Sequence, residues 1–184
     1  MNLYNIPTHL ESPDIVNAII EIPKGTTAKY EYDDELNVFR LDRCLASAMV
    51  YPASYGFIPS TLADDGDALD VVVYNATPID RGTLVECQVV GALDMTDDED
   101  KDYKILAVPT SHVREYNALK DIDPMFLNVA SNFFQHYKDL EGKDVCIYGW
   151  LEKSQALDIV RESVKTLFDE DLDLEFLDPM KGVF

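Results

Sequence analysis

Seven short runs rich in β-branched and aromatic residues, at 18–23, 28–32, 38–41, 71–74, 84–93, 104–108 and 145–151, are separated by clusters of Gly, Pro and Asp. Such residues fit a pleated, half-buried surface and the clusters between them supply turns, so the chain is mainly β. Strands this short and closely spaced predict a closed or partly closed barrel, because an open antiparallel sheet of the same size leaves unpaired edges. Two segments depart from the pattern. Asp123 predicts a helix cap with Pro124 as the first helical residue, after which Leu127, Ala130, Phe134 and Tyr137 recur at spacings of three and four. A second helix is expected to open near Ser154 and to set Leu157, Val160, Val164 and Phe168 along one stripe. Both helices are expected to pack on the barrel.

With 184 residues and 47% hydrophobic content, the chain can bury one sizeable core, which predicts a single domain over 1–184. The stretch 169–184 mixes acids with Leu and Phe and is expected to be either frayed or docked. Fifteen basic against thirty-five acidic residues give a net charge of −20, a field that repels nucleic acid and anionic membrane surfaces. An anionic substrate must therefore be met by local cations. The start of the sequence lacks a basic patch followed by an apolar run, and no stretch has the roughly 18 apolar residues of a membrane span. Cys44, Cys87 and Cys146 are odd in number and set among apolar residues, which predicts reduced core thiols and a cytoplasmic address. His9, His112 and His136 show no zinc-like pairing with one another or with the cysteines.

The segment 64–70, DDGDALD, places four carboxylates around one glycine, and a second acidic run, DMTDDEDKDYK, follows from Asp94. Two unit charges about 5 Å apart repel by about 3 kcal/mol at an effective dielectric near about 20, and by less than about 1 kcal/mol in water. A sheltered cluster therefore needs cations, raised pKa values, or both. Taken alone, a run of acids is a solvated loop. As a site, the first loop would set Asp65 and Asp67 on one face, while Gly66 permits a turn that brings Asp70 round to the same cavity. Oxygen ligands select Mg²⁺, Mn²⁺ or Ca²⁺ over softer metals. An EF-hand is excluded by its own template, because counting from Asp65 puts Asp70 where Gly belongs and Ala76 where the bidentate Glu belongs.

Basic residues are scarce, so their placement carries information. Lys29 and Glu31 alternate on one face of a predicted strand, which is also ordinary surface chemistry. Glu21 sits between two isoleucines, where a half-buried strand would point it to solvent. Asp42 and Arg43 follow an apolar strand, and Tyr51 and Tyr55 bracket a turn in YPASYG. Tyr137 and Lys138 close the first helix, where a lysine also answers the helix dipole.

In this order the strings IEIPKG, KYE, DRC, YPASYGF, DGDALD, DMTDDEDKD and HYKDLE resemble the family I soluble inorganic pyrophosphatases of prokaryotic type, over roughly residues 15 to 150. Ala68 departs from the family's usual Pro or Glu, which bears on loop rigidity more than on metal binding. The resemblance implies an α+β, mainly β fold, with a five-stranded OB-like barrel, peripheral strands and two packed helices. It also implies Mg²⁺-dependent hydrolysis of pyrophosphate to two orthophosphates, with several Mg²⁺ per site, Mn²⁺ as a substitute, and a homohexamer. Carried across by position, Asp65, Asp70 and Asp102 would hold the first metal, with Asp70 bridging to the second. Asp97 and Glu31 would place the metals that arrive with substrate, and Glu21 would act through ordered water. Asp67 would take the proton from the attacking water. Lys29, Arg43, Lys104, Tyr55, Tyr137 and Lys138 would grip the phosphates, with Asp42 and Tyr51 supporting them. Two rival readings remain: a barrel that binds oligonucleotides, which the net charge opposes, and a cation buffer, which leaves the lysines, arginine and tyrosines without a joint task.

Overall fold

The structure, a computed structural model, describes residues 2–8, 14–98 and 100–176, those from 165 onward by backbone alone. Its strands are β1 (Ile15–Ile22), β2 (Ala28–Asp33), β3 (Val38–Cys44), β4 (Ser54–Phe57), β5 (Asp70–Val73), β6 (Leu84–Asp97), β7 (Asp100–Lys101), β8 (Lys104–Pro109) and β9 (Val145–Glu152). The helices are α1 (Pro124–His136) and α2 (Lys153–Phe176).

Five strands close into a ring. β1 pairs with β4, β4 with β5, β8 with β6, and β6 returns to β1, all antiparallel, while β5 and β8 run parallel. This is the expected OB-like ring, uneven because β6 is long enough to continue past it and pair with β7 and β9. The burial pattern shows why these segments are strands: β8 is buried at all six positions, as are Val71, Val72 and Val73 in β5. Strands covered on both faces read as continuous apolar runs instead of alternating ones. Val72, Leu106 and Val108 face a core completed by Phe133 and Phe134 of α1. Val71, Val73, Ile105 and Ala107 face the other, completed by Ala156, Leu157 and Val160 of α2. Asp123 caps α1 as expected, accepting the Met125 N–H, and Trp150 of β9 donates its indole N–H to Ser131 at 2.9 Å.

The sequence reading misses two strands. β4 contains Gly56 and follows a proline, so it reads as a turn. The glycine is there because a Cβ would lie 1.8 Å from the Ile19 carbonyl oxygen. β7 is an Asp–Lys pair with no apolar signal, and the second acidic run lies partly within β6 instead of after it. The cysteine expectation needs correction. Cys87 is buried, but Cys44 of β3 and Cys146 of β9 are exposed, and all three are free thiols. Phe133 joins the buried stripe of α1 beside the predicted Phe134. The backbone from Asp169 to Phe176, expected to be frayed or docked, continues α2. His9, Glu99, the Phe168 side chain and residues 177–184 lie outside the described positions.

β2 and β3 stand apart as a two-stranded hairpin with no ladder to the ring among the described residues. It is held by side chains. Tyr32 packs against Phe57 and Phe39, and the Arg81 guanidinium lies 3.2 Å from the Tyr30 ring centroid.

Candidate active site

Strand register brings the first charged pair together. β5 and β8 run parallel with Asp70 opposite Lys104, and the Asp102 N–H donates to the Met95 carbonyl of β6 at 3.0 Å. The Lys104 ammonium, 4% exposed, consequently donates to both Asp70 and Asp102. At the end of β6, Asp97 accepts from Lys138, the residue that follows the C-cap of α1. The loop 64–70 is shaped by Gly66 at φ +89° and by Asp65, whose carboxylate accepts the Asp67 N–H at 3.0 Å. Its far end is pegged by buried Leu69, which donates its N–H to Thr61 Oγ1 and accepts from the Ile58 N–H. The hairpin sets Lys29 opposite Arg43, and Lys29 bonds Glu31 while standing 3.4 Å from Asp42.

These elements enclose a cavity of about 320 Å³ lined by Glu21, Lys29, Glu31, Tyr51, Tyr55, Asp65, Asp67, Asp70, Asp97, Asp102, Lys104, Tyr137 and Lys138. Thirteen of the fifteen residues singled out from the sequence line it. Arg43 and Asp42 lie outside that lining and are joined to each other. Glu21 is buried and not turned to solvent, accepting the Tyr32 N–H at 2.7 Å. Phe133 and Phe134 of α1 pack beneath the tyrosines, with Tyr51 4.8 Å from Phe133 and Tyr55 6.1 Å from Phe134 between ring centroids.

The electrostatics follow from more acids than bases in a sheltered space. Burial, with smaller contributions from Asp70 and Glu31, pushes Glu21 up to about 8. Burial, with Asp70 adding to it, raises Asp102 to about 6 against the pull of Lys104. Burial pushes the Lys104 ammonium down, but Asp70 and Asp102 overcome this and hold it above its ordinary value. Burial, then Asp65 and Asp70, raises Asp67. The Tyr55 and Tyr137 phenols are raised chiefly by burial, so both stay protonated donors.

The sequence reading missed Glu141 as a site residue. It lies in a short turn, Asp139–Glu141, just after Lys138. Its carboxylate holds Arg43 by two parallel contacts, Nε at 3.1 Å and Nη2 at 3.0 Å. The string HYKDLE contained it, but no local pattern marks its long-range partner. Among the described residues, no three acidic, His or Cys side chains already surround one point at metal-ligand distance, and Asp70, Asp97 and Asp102 are paired with lysines. The Asp97 Oδ1 atom, buried in the same wall, has no hydrogen-bond partner among the described residues.

The sequence model for inorganic pyrophosphatase matches residues 18–167, most of the chain. The chain belongs to the inorganic pyrophosphatase family. An inorganic pyrophosphatase of Caulobacter vibrioides is 42% identical over 171 residues, covering 90% of this chain and 97% of that protein. One from Aeropyrum pernix is 42% identical over 160 residues, covering 84% and 91%. The crystal structure of the Thermus thermophilus inorganic pyrophosphatase superposes with a TM-score of 0.87 at 38% identity, covering 91% of this chain and 99% of that one. As a family member the chain is a hydrolase of inorganic pyrophosphate, and the family's enzymes depend on metal ions. Among the described residues no helix is long and apolar enough to cross a membrane.

Proposed function

We propose that this cavity hydrolyses pyrophosphate with Mg²⁺, using the residues assembled there, and that the chain works as one domain. The observation carrying this reading is that carboxylates, lysines and tyrosines from distant segments share one cavity in a protein of net charge −20. The site fits hard divalent ions: its carboxylate ligands are all oxygen donors, Asp97 Oδ1 lacks a partner among the described residues, and burial, with neighbouring acids adding to it, raises Asp102 and Glu21. Asp65, Asp70 and Asp102 would hold one ion, with Asp70 bridging to a second. Asp97 and Glu31 would place those arriving with substrate, and Glu21 would act through ordered water. Bound Mg²⁺, or Mn²⁺ in its place, draws charge from the phosphoryl oxygens and acidifies a water.

The protein's own groups do the rest. Asp67, whose burial raises its proton affinity, takes the proton as the water oxygen bonds to one phosphorus. The bridging P–O bond breaks and its electron pair leaves with the second phosphate. Lys29, Lys104, Lys138 and Arg43 meet the negative charge that develops, and Tyr55 and Tyr137 donate their hydroxyl protons to phosphoryl oxygens. Asp70 and Asp102, which now hold the Lys104 ammonium, would hold metal instead, and Lys104 would then be free for phosphate. Asp42 and Glu141 fix the Arg43 fork from two sides, and Tyr51 supports Tyr55 at a centroid distance of 5.6 Å. No covalent enzyme intermediate is required. Nucleic acid is disfavoured as a partner by the charge, and a cytoplasmic homohexamer with FFQHYK as a contact helix belongs to the same proposal.

Phosphate release from pyrophosphate and from ATP, each with and without Mg²⁺, tests reaction, substrate and metal together. Rapid release from pyrophosphate with Mg²⁺ alone is expected, and a folded protein without turnover under that condition overturns the reading. The Asp67→Asn variant should fold normally and lose a factor on the order of 10² or more in turnover. Unchanged turnover would remove Asp67 from the chemistry.

A further inference from the structure

Residues 2–8 lie outside the span matched by the family model, yet Tyr4 forms part of the cavity wall. Its ring packs against two aromatic residues that border the site: Tyr32 of the hairpin, at 5.3 Å and 76°, and Phe57 of β4, at 4.7 Å. On the hairpin side, the Leu3 N–H donates to the Tyr32 hydroxyl at 3.0 Å, and that hydroxyl donates to Asn37 at 3.0 Å. Tyr32 is also the residue whose N–H is accepted by Glu21. On the other side, the Tyr4 carbonyl accepts the Ser60 N–H at 2.9 Å, and the Ile6 carbonyl accepts the Ser60 hydroxyl at 2.9 Å. Thr8 donates to the Pro59 carbonyl at 2.8 Å.

Ser60 stands at φ +54°, a left-handed conformation that costs a non-glycine residue about 1–3 kcal/mol unless its surroundings impose it. The segment at 2–8 imposes it. The next residue is Thr61, which closes the loop bearing Asp65, Asp67 and Asp70, and Ala68 of that loop packs in the same apolar cluster as Tyr4. The hairpin has no strand ladder to the ring among the described residues, so side-chain contacts set its distance from the loop.

We propose that residues 2–8 are a strap that fixes the gap between the hairpin carrying Lys29 and Glu31 and the loop carrying Asp65, Asp67 and Asp70, with Tyr4 as its positioning residue. The kinetic consequence rests on the function proposed above; the structural one does not. A small side chain at position 4 removes both ring contacts while leaving the backbone hydrogen bonds available, so the hairpin and the loop loosen and the rest of the ring does not.

Amide hydrogen exchange on the full chain in chelator, comparing wild type with Tyr4→Ala and Tyr4→Phe, tests this directly. Tyr4→Ala should exchange about tenfold faster in 28–44 and 61–70, corresponding to about 1.4 kcal/mol of lost aromatic contact, with β6 and β8 unchanged. In the assay with Mg²⁺, the same variant should raise KM for pyrophosphate several-fold while kcat changes less, and Tyr4→Phe should behave as wild type on both readouts. Wild-type exchange in both segments of Tyr4→Ala, or faster exchange across the whole ring, overturns the strap. A wild-type protein without pyrophosphate turnover removes only the kinetic arm, since exchange still reads the contact.

Discussion

Glu21 shows at the scale of one residue how an acid on an apolar strand differs from its ordinary surface counterpart. In the string IIEIP nothing distinguishes it from a solvent-facing glutamate, because the deciding contact, the Tyr32 N–H, comes from a strand that begins seven positions later. Asp65, Asp67 and Asp70 were legible for the opposite reason: their spacing around Gly66 is local, and the turn it predicts is the one that forms. Burial gives Glu21 a folded pKa of about 8 against an ordinary value of 4.5. The folded state therefore binds more protons than the unfolded chain between those values, and stability conferred by the proton is lost as pH rises through them. In metal-free protein, Glu21→Gln should gain on wild type as pH climbs from about 4.5 to 8, by up to about 1.4 kcal/mol per pH unit. Urea unfolding in chelator at both ends of the window measures it, and a constant difference would mean that Glu21 does not titrate in this way.

Among the elements, the seven apolar runs all became strands and both helices formed where capping and periodicity placed them. What escaped were segments whose pairing depends on remote partners. β4 needs the close approach of β1 that Gly56 allows, and β7 needs the end of β6. The same limit hid Glu141, which reaches back almost a hundred positions to Arg43. Its turn and the hairpin are separate elements joined at this contact, so the coupling is measurable. Glu141→Ala should raise KM for pyrophosphate by about tenfold, as expected when a charge-assisted hydrogen bond worth about 1.5–3 kcal/mol is partly replaced by water. A double-mutant cycle with Arg43→Ala should be strongly non-additive. Additive losses would separate Glu141 from the arginine.

On the scale of the whole molecule, the net charge of −20 and the acid-rich cavity oppose compaction, and the lysines within the cavity only partly offset them. Divalent metal that binds the folded state alone should stabilise it by about 2.7 kcal/mol at a hundred times its dissociation constant. Mg²⁺ should thus raise Tm, chelator should lower it, and Asp70→Asn should blunt the response; a Tm indifferent to Mg²⁺ would speak against the ion set assigned here. Closure of the sheet was foreseeable from strand length and spacing and its five-stranded OB-like form from the family resemblance, whereas the isolation of β2 and β3 was not, since their residues read like those of any other strand. That isolation has a consequence for how the protein fails. Because two of the cations proposed to grip phosphate, Lys29 and Arg43, ride on a part bound to the remainder by rings, ion pairs and hydrogen bonds to side chains, mild heating or urea should silence turnover while circular dichroism still reports an intact β-structure.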